Sequence, residues 1–588
     1  MPGPVADARA FLAEDPDPET RRELREILER AEAGDETARR DLIDRFSGPL
    51  EFGTAGLRGR VEAGLARMNR LVVMKATWAL GTHLLEEDTQ VAHRGVVVGF
   101  DGRRSSRGFA EDAAAVFAGL GIPVRLFPDP VPTPLVSFAV PLLEAAAGVV
   151  ITASHNPAQD NGYKVYLASG AQIAPPVDAA VAAHIAAAPA LDAISRESPP
   201  DAAADGLRQL IDATDHAVED AYLEGLARGA LHPVEPTPLR IAYTALHGVG
   251  QRLLVRALAR AGFWGVAAVS SQADPDGTFS TVRFPNPEEP GAMERVLALA
   301  EESGAELVLA NDPDADRLAA AVPDGTGRGY RVLSGNEVGV LLADDAMEHA
   351  EVGGRRKLVV TTVVSSSLLS RMARDRNVAY RETLTGFKWI VDAALQGEAL
   401  GEAFVFGYEE ALGYCAGALV RDKDGIGAAL RLAELARHLK ARGSTLLERV
   451  DELLVAHGLS HPVQWSLTMP GPEGRDRIHG AMDALRTRPL GRIGASPVVR
   501  VLNASTGEET VEGQRRSIEL PRSDLLTFES KDGARLTVRP SGTEPKIKFY
   551  LELVGRVGRT DDVPAARARL EEEGQGLRRS LVRDLGLG

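Results

Sequence analysis

One plan written three times constrains this chain more than any single motif. In each copy an apolar run leads into a polar turn and then a helical pattern: GVVVGFDGRRSS from Gly95, RIAYTALHGVGQ from Arg240 and KLVVTTVVSSS from Lys357. A second strand-like run follows at residues 123–127, 266–270 and 378–381. After a further helical stretch, a third apolar run ends in ITASHNP, VLANDPDADR or FVFGYEEALGY. Strands alternating with helices specify parallel sheets, whose ligands collect outside the carboxyl ends of the strands. The three polar loops therefore hold the same place in three α/β units. At 588 residues the chain exceeds one core, and about 150 residues per domain gives roughly four. The fourth differs in kind: hairpin strands over 462–550 and a closing helix over 563–585 predict an α+β unit. The expected boundaries are 1–207, 208–323, 324–459 and 460–588. Two amphipathic helices over 19–46 belong to the first domain, with Leu24, Ile27, Leu28, Leu42, Ile43 and Phe46 at helical spacing. Residues 323–330 read as a Gly-rich hairpin or linker.

Three of the loops carry chemistry. In GVVITASHNPAQDNGYKVY an apolar strand runs into Ser154, backed by His155, and then into an Asn- and Gly-rich turn that carries Lys164. A serine there is either a tight-turn residue or a nucleophile. In LVLANDPDADR a buried strand is followed by Asp312, Asp314 and Asp316 at alternate positions. Three carboxylates so close require a compensating charge, and hard oxygen ligands select Mg²⁺ or Ca²⁺. An EF-hand is excluded, because the sixth loop position is Arg317 and the twelfth Pro323. In RLTVRPSGTEPKIKFYL two strands flank Arg539-Pro540-Ser541-Gly542-Thr543, where small residues let backbone N–H groups form an anion nest and Arg539 offers a fork. The alternative there is a plain hairpin turn.

Lys and Arg number 67 against 83 Asp and Glu, a formal charge of −16, which argues against nucleic-acid or acidic-membrane partners. With Cys415 alone no internal disulfide is possible, and no run reaches the roughly 18 apolar residues of a membrane span. A cytoplasmic protein is expected.

Taken together, TASHNP, DPDADR, GYEEALG and RPSGTEPK resemble the α-D-phosphohexomutase superfamily in family order from Glu51 to Leu551. TGFKWI, VRDKDGI and PNPEE are similar to its branch of phosphoglucomutase-2-type and phosphopentomutase enzymes. The resemblance implies three topologically alike α/β domains with mixed, mostly parallel sheets and a fourth related to the TATA-binding-protein fold, around a central cleft. It implies that Ser154 carries a phosphoryl group and, with Asp312, Asp314 and Asp316, holds one Mg²⁺. Arg317 would face the phosphoserine, Arg58 would be a catalytic residue of the family's first active-site turn, and His155 and Lys164 would be the acid/base candidates. Thr54, Thr385, Gly386, Glu409, Lys423, Arg539, Ser541, Gly542 and Thr543 would bind the phosphosugar. The implied reaction interconverts a sugar 1-phosphate and 6-phosphate, glucose first, through a sugar bisphosphate, with pentose and mannose phosphates as alternatives. A monomer or weak homodimer is expected. Ala411 departs from the serine of GEESFG in hexose-type members and weakens the analogy to their sugar grip. Two rivals remain: a phosphatase with an aspartate nucleophile, which leaves TASHNP unexplained, and a non-enzymatic sugar-phosphate sensor, which has no use for the serine and metal set. His247 reads as a turn or core histidine, and Glu410 as a solvated neighbour of Glu409.

Overall fold

The computed structural model describes residues 3–53, 55–197, 208–210, 216–327, 329–541 and 545–587. They form two compact units, one of residues 1–334 with 412–438, the other of residues 335–411 with 439–588.

The three copies share one strand order. In the first, Val96–Phe100 lies between Val124–Leu126 and Ala147–Ile151 and is parallel to both. In the second, Ile241–Thr244 lies between Val266–Ala268 and Leu307–Ala310, again parallel. In the third, within the second unit, Lys357–Thr362 lies between Ala379–Thr383 and Ala403–Glu409 in the same sense. Central strands buried on both faces read as continuous Val/Ile/Leu runs rather than alternating ones. VVVGF and LVLA fit that pattern, since every residue of each strand is buried.

In the first two copies the chain then doubles back. Asp160–Leu167 pairs antiparallel with Ala147–Ile151, and Ala319–Pro323 pairs antiparallel with Leu307–Ala310. Lys164 therefore sits opposite Val150 on a strand, not in the Asn- and Gly-rich turn where the sequence placed it. The turn closes earlier, over residues 156–159, because Gly162 and Tyr163 already join the sheet. Residues 323–330 do join a hairpin, from Ala319–Pro323 to Tyr330–Leu333.

Helices Pro18–Glu32 and Glu36–Arg45 bury Leu24, Ile27, Leu28 and Leu42 against Leu71, Met74 and Val116 of the first domain. Asp17 and Asp35 cap their N-termini. A further helix, Pro4–Glu14, joins that cluster through Ala8 and Phe11. Ile43, one of the residues expected in the apolar stripe, is exposed. In the second unit an antiparallel sheet runs in the order Leu459–Thr468, Lys546–Gly555, Arg535–Pro540, Leu526–Ser530, Ser496–Asn503, Glu508–Val511, Gln514–Ser517. Helices Gly471–Thr487 and Val563–Asp584 belong to the same α+β domain. The first of these two helices is absent from the sequence reading.

Candidate active site

Ser154 follows the strand Ala147–Ile151 and adopts a left-handed backbone with φ 54°. That conformation is uncommon for a residue with a side chain and persists where the surroundings over-determine it. Here they do. The Ser154 N–H donates to Thr152 Oγ1 at 2.8 Å, Thr152 Oγ1 donates to Asp101 Oδ2 at 2.6 Å, and Ser106 Oγ donates to Asp101 Oδ1 at 2.6 Å. Arg103, 3% exposed, then closes the loop from outside. Its Nη2 donates to the carbonyls of Ser154 and Asn156 at 2.6 Å each, and its Nη1 to those of Pro157 and Asp160 at 2.6 and 2.9 Å. Its Nε reaches Asp101 at 3.2 Å. Sequence reasoning passed over both residues of this clamp. The signal was DGRRSS at the end of a buried strand, the kind of position that was read for chemistry elsewhere in the chain.

The Ser154 hydroxyl donates to Asp312 Oδ2 at 2.8 Å and lies 3.1 Å from His155 Nδ1, a pairing in which either atom can donate according to the tautomer. Asp312, Asp314 and Asp316 follow the buried strand Leu307–Ala310, all three at most 1% exposed. One oxygen from each lies within 4.8 Å of the others. Thr133 Oγ1 donates to Asp314 Oδ2 at 2.7 Å, and Lys164 Nζ bridges Asp314 and Asp316 at 2.7 and 2.8 Å. Asp314 Oδ1 and Asp316 Oδ1 are buried without a hydrogen-bond partner. Buried carboxylate oxygens are ordinarily satisfied, so two such orphans beside a third carboxylate fit a hard divalent cation with oxygen ligands. The cluster can bind a metal.

Charge is arranged to match. Burial favours the neutral amine at Lys164, but Asp314 and Asp316 outweigh it and hold the ammonium form above its ordinary range. Against the same burial, Lys164 draws Asp316 below the usual carboxylate range, with Lys423 Nζ 3.3 Å away adding to the effect. Asp312 moves the other way: burial and repulsion from Asp314 and Asp316 raise it well above that range. His155 is pushed well below its ordinary value by burial and by Arg317 and Arg58, and is neutral.

Beside Lys423 stands Asp422, whose Oδ2 accepts from Tyr166 Oη and Gln172 Nε2 at 2.7 Å each. Gly425, just beyond, is obligatory, because a Cβ there would lie 2.2 Å from the Arg317 carbonyl oxygen. The Arg317 N–H donates to Asp312 Oδ1 at 3.0 Å and its guanidinium meets Glu288 at 3.4 Å. Arg58 reaches Asn156 Oδ1 at 3.3 Å from the strand Leu57–Arg60. Its entry turn is fixed by Gly56 at φ 83°, where a Cβ would sit 2.3 Å from the Tyr163 carbonyl oxygen.

The first unit thus brings together Arg58, Ser154, His155, Lys164, Asp312, Asp314, Asp316, Arg317 and Lys423. The second holds Glu409 at the end of Ala403–Glu409, Thr385 and Gly386 before the helix Phe387–Ala399, and Arg539 and Ser541 at the end of Arg535–Pro540. Arg539 Nη2 donates to Tyr550 Oη at 3.3 Å, and the Ser541 N–H donates to the Lys546 carbonyl at 2.7 Å. Thr54, Gly542 and Thr543 lie outside the described residues. His247 is buried in a turn, 2.8 Å from Thr281 Oγ1, as read. Glu410 is not a solvated bystander, because Ser365 Oγ and Thr362 Oγ1 donate to its Oε2 at 3.2 and 3.4 Å.

Three α/β copies, a strained serine facing a carboxylate triad and an antiparallel C-terminal domain belong, by the matches that follow, to an isomerase of the phosphotransferase mutase type. Four domain profiles match in order, each described as phosphoglucomutase/phosphomannomutase: α/β/α domain I at 49–191, domain II at 220–326, domain III at 334–454 and the C-terminal domain at 494–573. The Haemophilus influenzae protein named "Probable phosphomannomutase" is 38% identical over 527 residues, covering 88% of this chain and 98% of its own. The human phosphopentomutase is 35% identical, covering 89% and 87%. A crystal structure from Thermus thermophilus, described as that of a "putative phosphomannomutase", superposes with a TM-score of 0.64 at 26% identity, covering 90% of this chain and 99% of its own. The chain belongs to the phosphoglucomutase/phosphomannomutase family. Among the described residues, no helix is long and apolar enough to cross a membrane.

Proposed function

We propose that this mutase interconverts aldose 1-phosphates with their terminal phosphates, glucose 1-phosphate and 6-phosphate first among them, by way of a phosphoserine at Ser154 and a sugar bisphosphate. The observation that carries the reading is Ser154 itself: a serine pinned in a left-handed backbone with Oγ 2.8 Å from a buried carboxylate. A tight-turn serine has no need of the Arg103 clamp or of the orphaned oxygens of Asp314 and Asp316.

In the first transfer the bond between Ser154 Oγ and phosphorus breaks as a bond from phosphorus to a sugar hydroxyl oxygen forms. The sugar proton passes to a base, and the released Oγ takes a proton. His155, neutral and 3.1 Å from Oγ, has the reach to handle the proton at the serine. Lys164, held as an ammonium, supplies fixed positive charge and a proton donor. Arg58 and Arg317 stabilise the equatorial oxygens of the phosphoryl group, the main demand of such a transfer. Ser154 and the three aspartates would hold one Mg²⁺, which when bound neutralises charge on the transferring group. The bisphosphate then reverses and returns its other phosphate to Ser154.

Glu409 would accept hydrogen bonds from sugar hydroxyls, with Thr54, Thr385 and Gly386 lining the sugar. Lys423, Arg539, Ser541, Gly542 and Thr543 would take the phosphate that is not reacting. A pentose phosphate is the second reading, favoured by Ala411, which removes a hydroxyl contact, and by the 35% identity to a phosphopentomutase. The test is phosphorus NMR of glucose, mannose, ribose and deoxyribose 1-phosphates, each primed with its bisphosphate, beside intact-protein mass of wild type and Ser154→Ala. Interconversion with a phosphoryl adduct that Ser154→Ala abolishes is expected. Release of free phosphate without isomerisation, or turnover retained in Ser154→Ala, refutes it. A preference of about 100-fold or more for pentose phosphates, about 2.7 kcal/mol, replaces glucose with pentose.

A further inference from the structure

The second unit contains a hydrogen-bonded joint that the proposed chemistry leaves unused. Glu410, next to the sugar-reading Glu409, turns to the loop after Lys357–Thr362 rather than to solvent. Ser365 Oγ and Thr362 Oγ1 donate to its carboxylate, and its own N–H donates to Ser365 Oγ at 3.2 Å. The same serine is gripped from the other side. Its carbonyl accepts from Arg535 Nη2, and Arg535 Nη1 donates to Glu382 Oε1 at 2.7 Å. The next residues continue the grip: Ser366 Oγ and the Ser367 N–H donate to Glu552 Oε1 at 2.6 and 3.1 Å. Arg535 opens the strand Arg535–Pro540, whose far end delivers Arg539 and Ser541. One buried serine, 1% exposed, thus touches both the loop that bears Glu409 and the strand that bears the phosphate-binding residues.

On the basis of the proposed phosphosugar reading, we infer that Glu410 is a positioning residue that, through Ser365, registers the Glu409 loop against the Arg535–Pro540 strand, so that the sugar-reading and phosphate-reading groups keep a fixed spacing. A ligand held at both ends requires its contacts set to within about 0.5 Å. A carboxyl group drawn away from water persists only where donors hold it, and the Thr362 and Ser365 hydroxyls, joined to each other at 2.8 Å, present a donor to Glu410. Burial, and then repulsion from Glu409, push Glu410 up to about 7, against the pull of Arg539. Tyr408 and Tyr550 also face it, while Arg535 and Glu552 line the same small cavity as Ser365 and Glu410. Ser365 and Glu410 are among the residues lining that cavity of about 20 Å³.

The experiment compares Glu410→Leu, Ser365→Ala, their double variant and Ser365→Thr by steady-state kinetics in both directions and by calorimetric binding of glucose 1-phosphate. Each single loss should raise KM and weaken binding about 5- to 30-fold, the worth of one or two hydrogen bonds, with kcat within about threefold. The double variant should be no more than about threefold worse than the worse single, and Ser365→Thr, which keeps the hydroxyl, should return to within about threefold of wild type. Unchanged affinity in both singles, effects that multiply in the double, or loss confined to kcat overturns the inference. Wild type that binds the sugar phosphate without isomerising it refutes the proposed function but leaves the binding comparison decisive. Wild type that does not bind it refutes both.

Discussion

Replacing Arg103 with lysine isolates how much of the serine's placement comes from one side chain. The guanidinium serves five acceptors: Asp101 and the carbonyls of Ser154, Asn156, Pro157 and Asp160. An ammonium has three donors and no planar fork, so at least two of the five hydrogen bonds are lost. At about 1.5 kcal/mol for each charge-assisted bond lost, the loop is destabilised by about 3 kcal/mol. With that restraint gone, the left-handed conformation of Ser154, which costs on the order of 1–3 kcal/mol, is no longer over-determined. Misplacement of a reacting group by about 1 Å costs on the order of 100-fold in rate. Arg103→Lys should therefore lower the rate of Ser154 phosphorylation by sugar bisphosphate by about 100-fold, measured by rapid-quench mass spectrometry. Backbone amides of residues 152–161 should exchange faster by about two orders of magnitude while the strand Val96–Phe100 stays protected. A phosphorylation rate within about threefold of wild type, with unchanged exchange over that segment, would show that the clamp is decoration.

Asp314→Asn should cut turnover by several orders of magnitude and weaken Mg²⁺ binding followed by calorimetry, while chelator silences wild type until Mg²⁺ is restored; full activity in metal-stripped protein refutes this. Glu409→Gln should lower kcat/KM by about 10- to 150-fold while Ser154 is still phosphorylated, and an unchanged kcat/KM would remove Glu409 from the sugar contacts. Glu410 has a folded pKa of about 7 against an ordinary 4.5, so the folded state binds its proton more tightly and the stability it contributes, complete below about 4.5, is lost as pH rises through 7. Discounted for its partial exposure, the stability of wild type relative to Glu410→Gln should fall by about 2 kcal/mol between pH 5 and pH 8, read by denaturant titration; a flat difference contradicts the assignment.

The parts of this fold that could be read in the chain are those that local pattern encodes. Buried parallel strands leave unbroken apolar runs, and three such sets in one order gave the α/β copies and the loops at their carboxyl ends. The carboxylate triad was equally plain, because Asp312, Asp314 and Asp316 follow one strand. What stayed hidden depends on partners far along the chain. Arg103 looks like any charge in a polar turn until four carbonyls more than fifty residues away converge on it. Lys164 was placed in a turn because Asn161 and Gly162 are turn formers, whereas pairing with neighbours on both sides overrode that preference. Glu410 was read as solvated because nothing in GYEEALG announces Ser365.

The first unit is not one stretch of chain. Residues 412–438 complete it after the polypeptide has passed through 335–411, which belong to the other unit. During synthesis the carboxylate triad therefore emerges long before Lys423 and before Asp422, the acceptor for Tyr166 and Gln172. A fragment ending at Ser334 would carry every aspartate of the cluster with only part of the positive charge that balances them. Such a nascent chain has reason to remain loosely packed around residues 312–316 until the late segment arrives, which delays closure of the carboxylate cluster until most of the protein has been made.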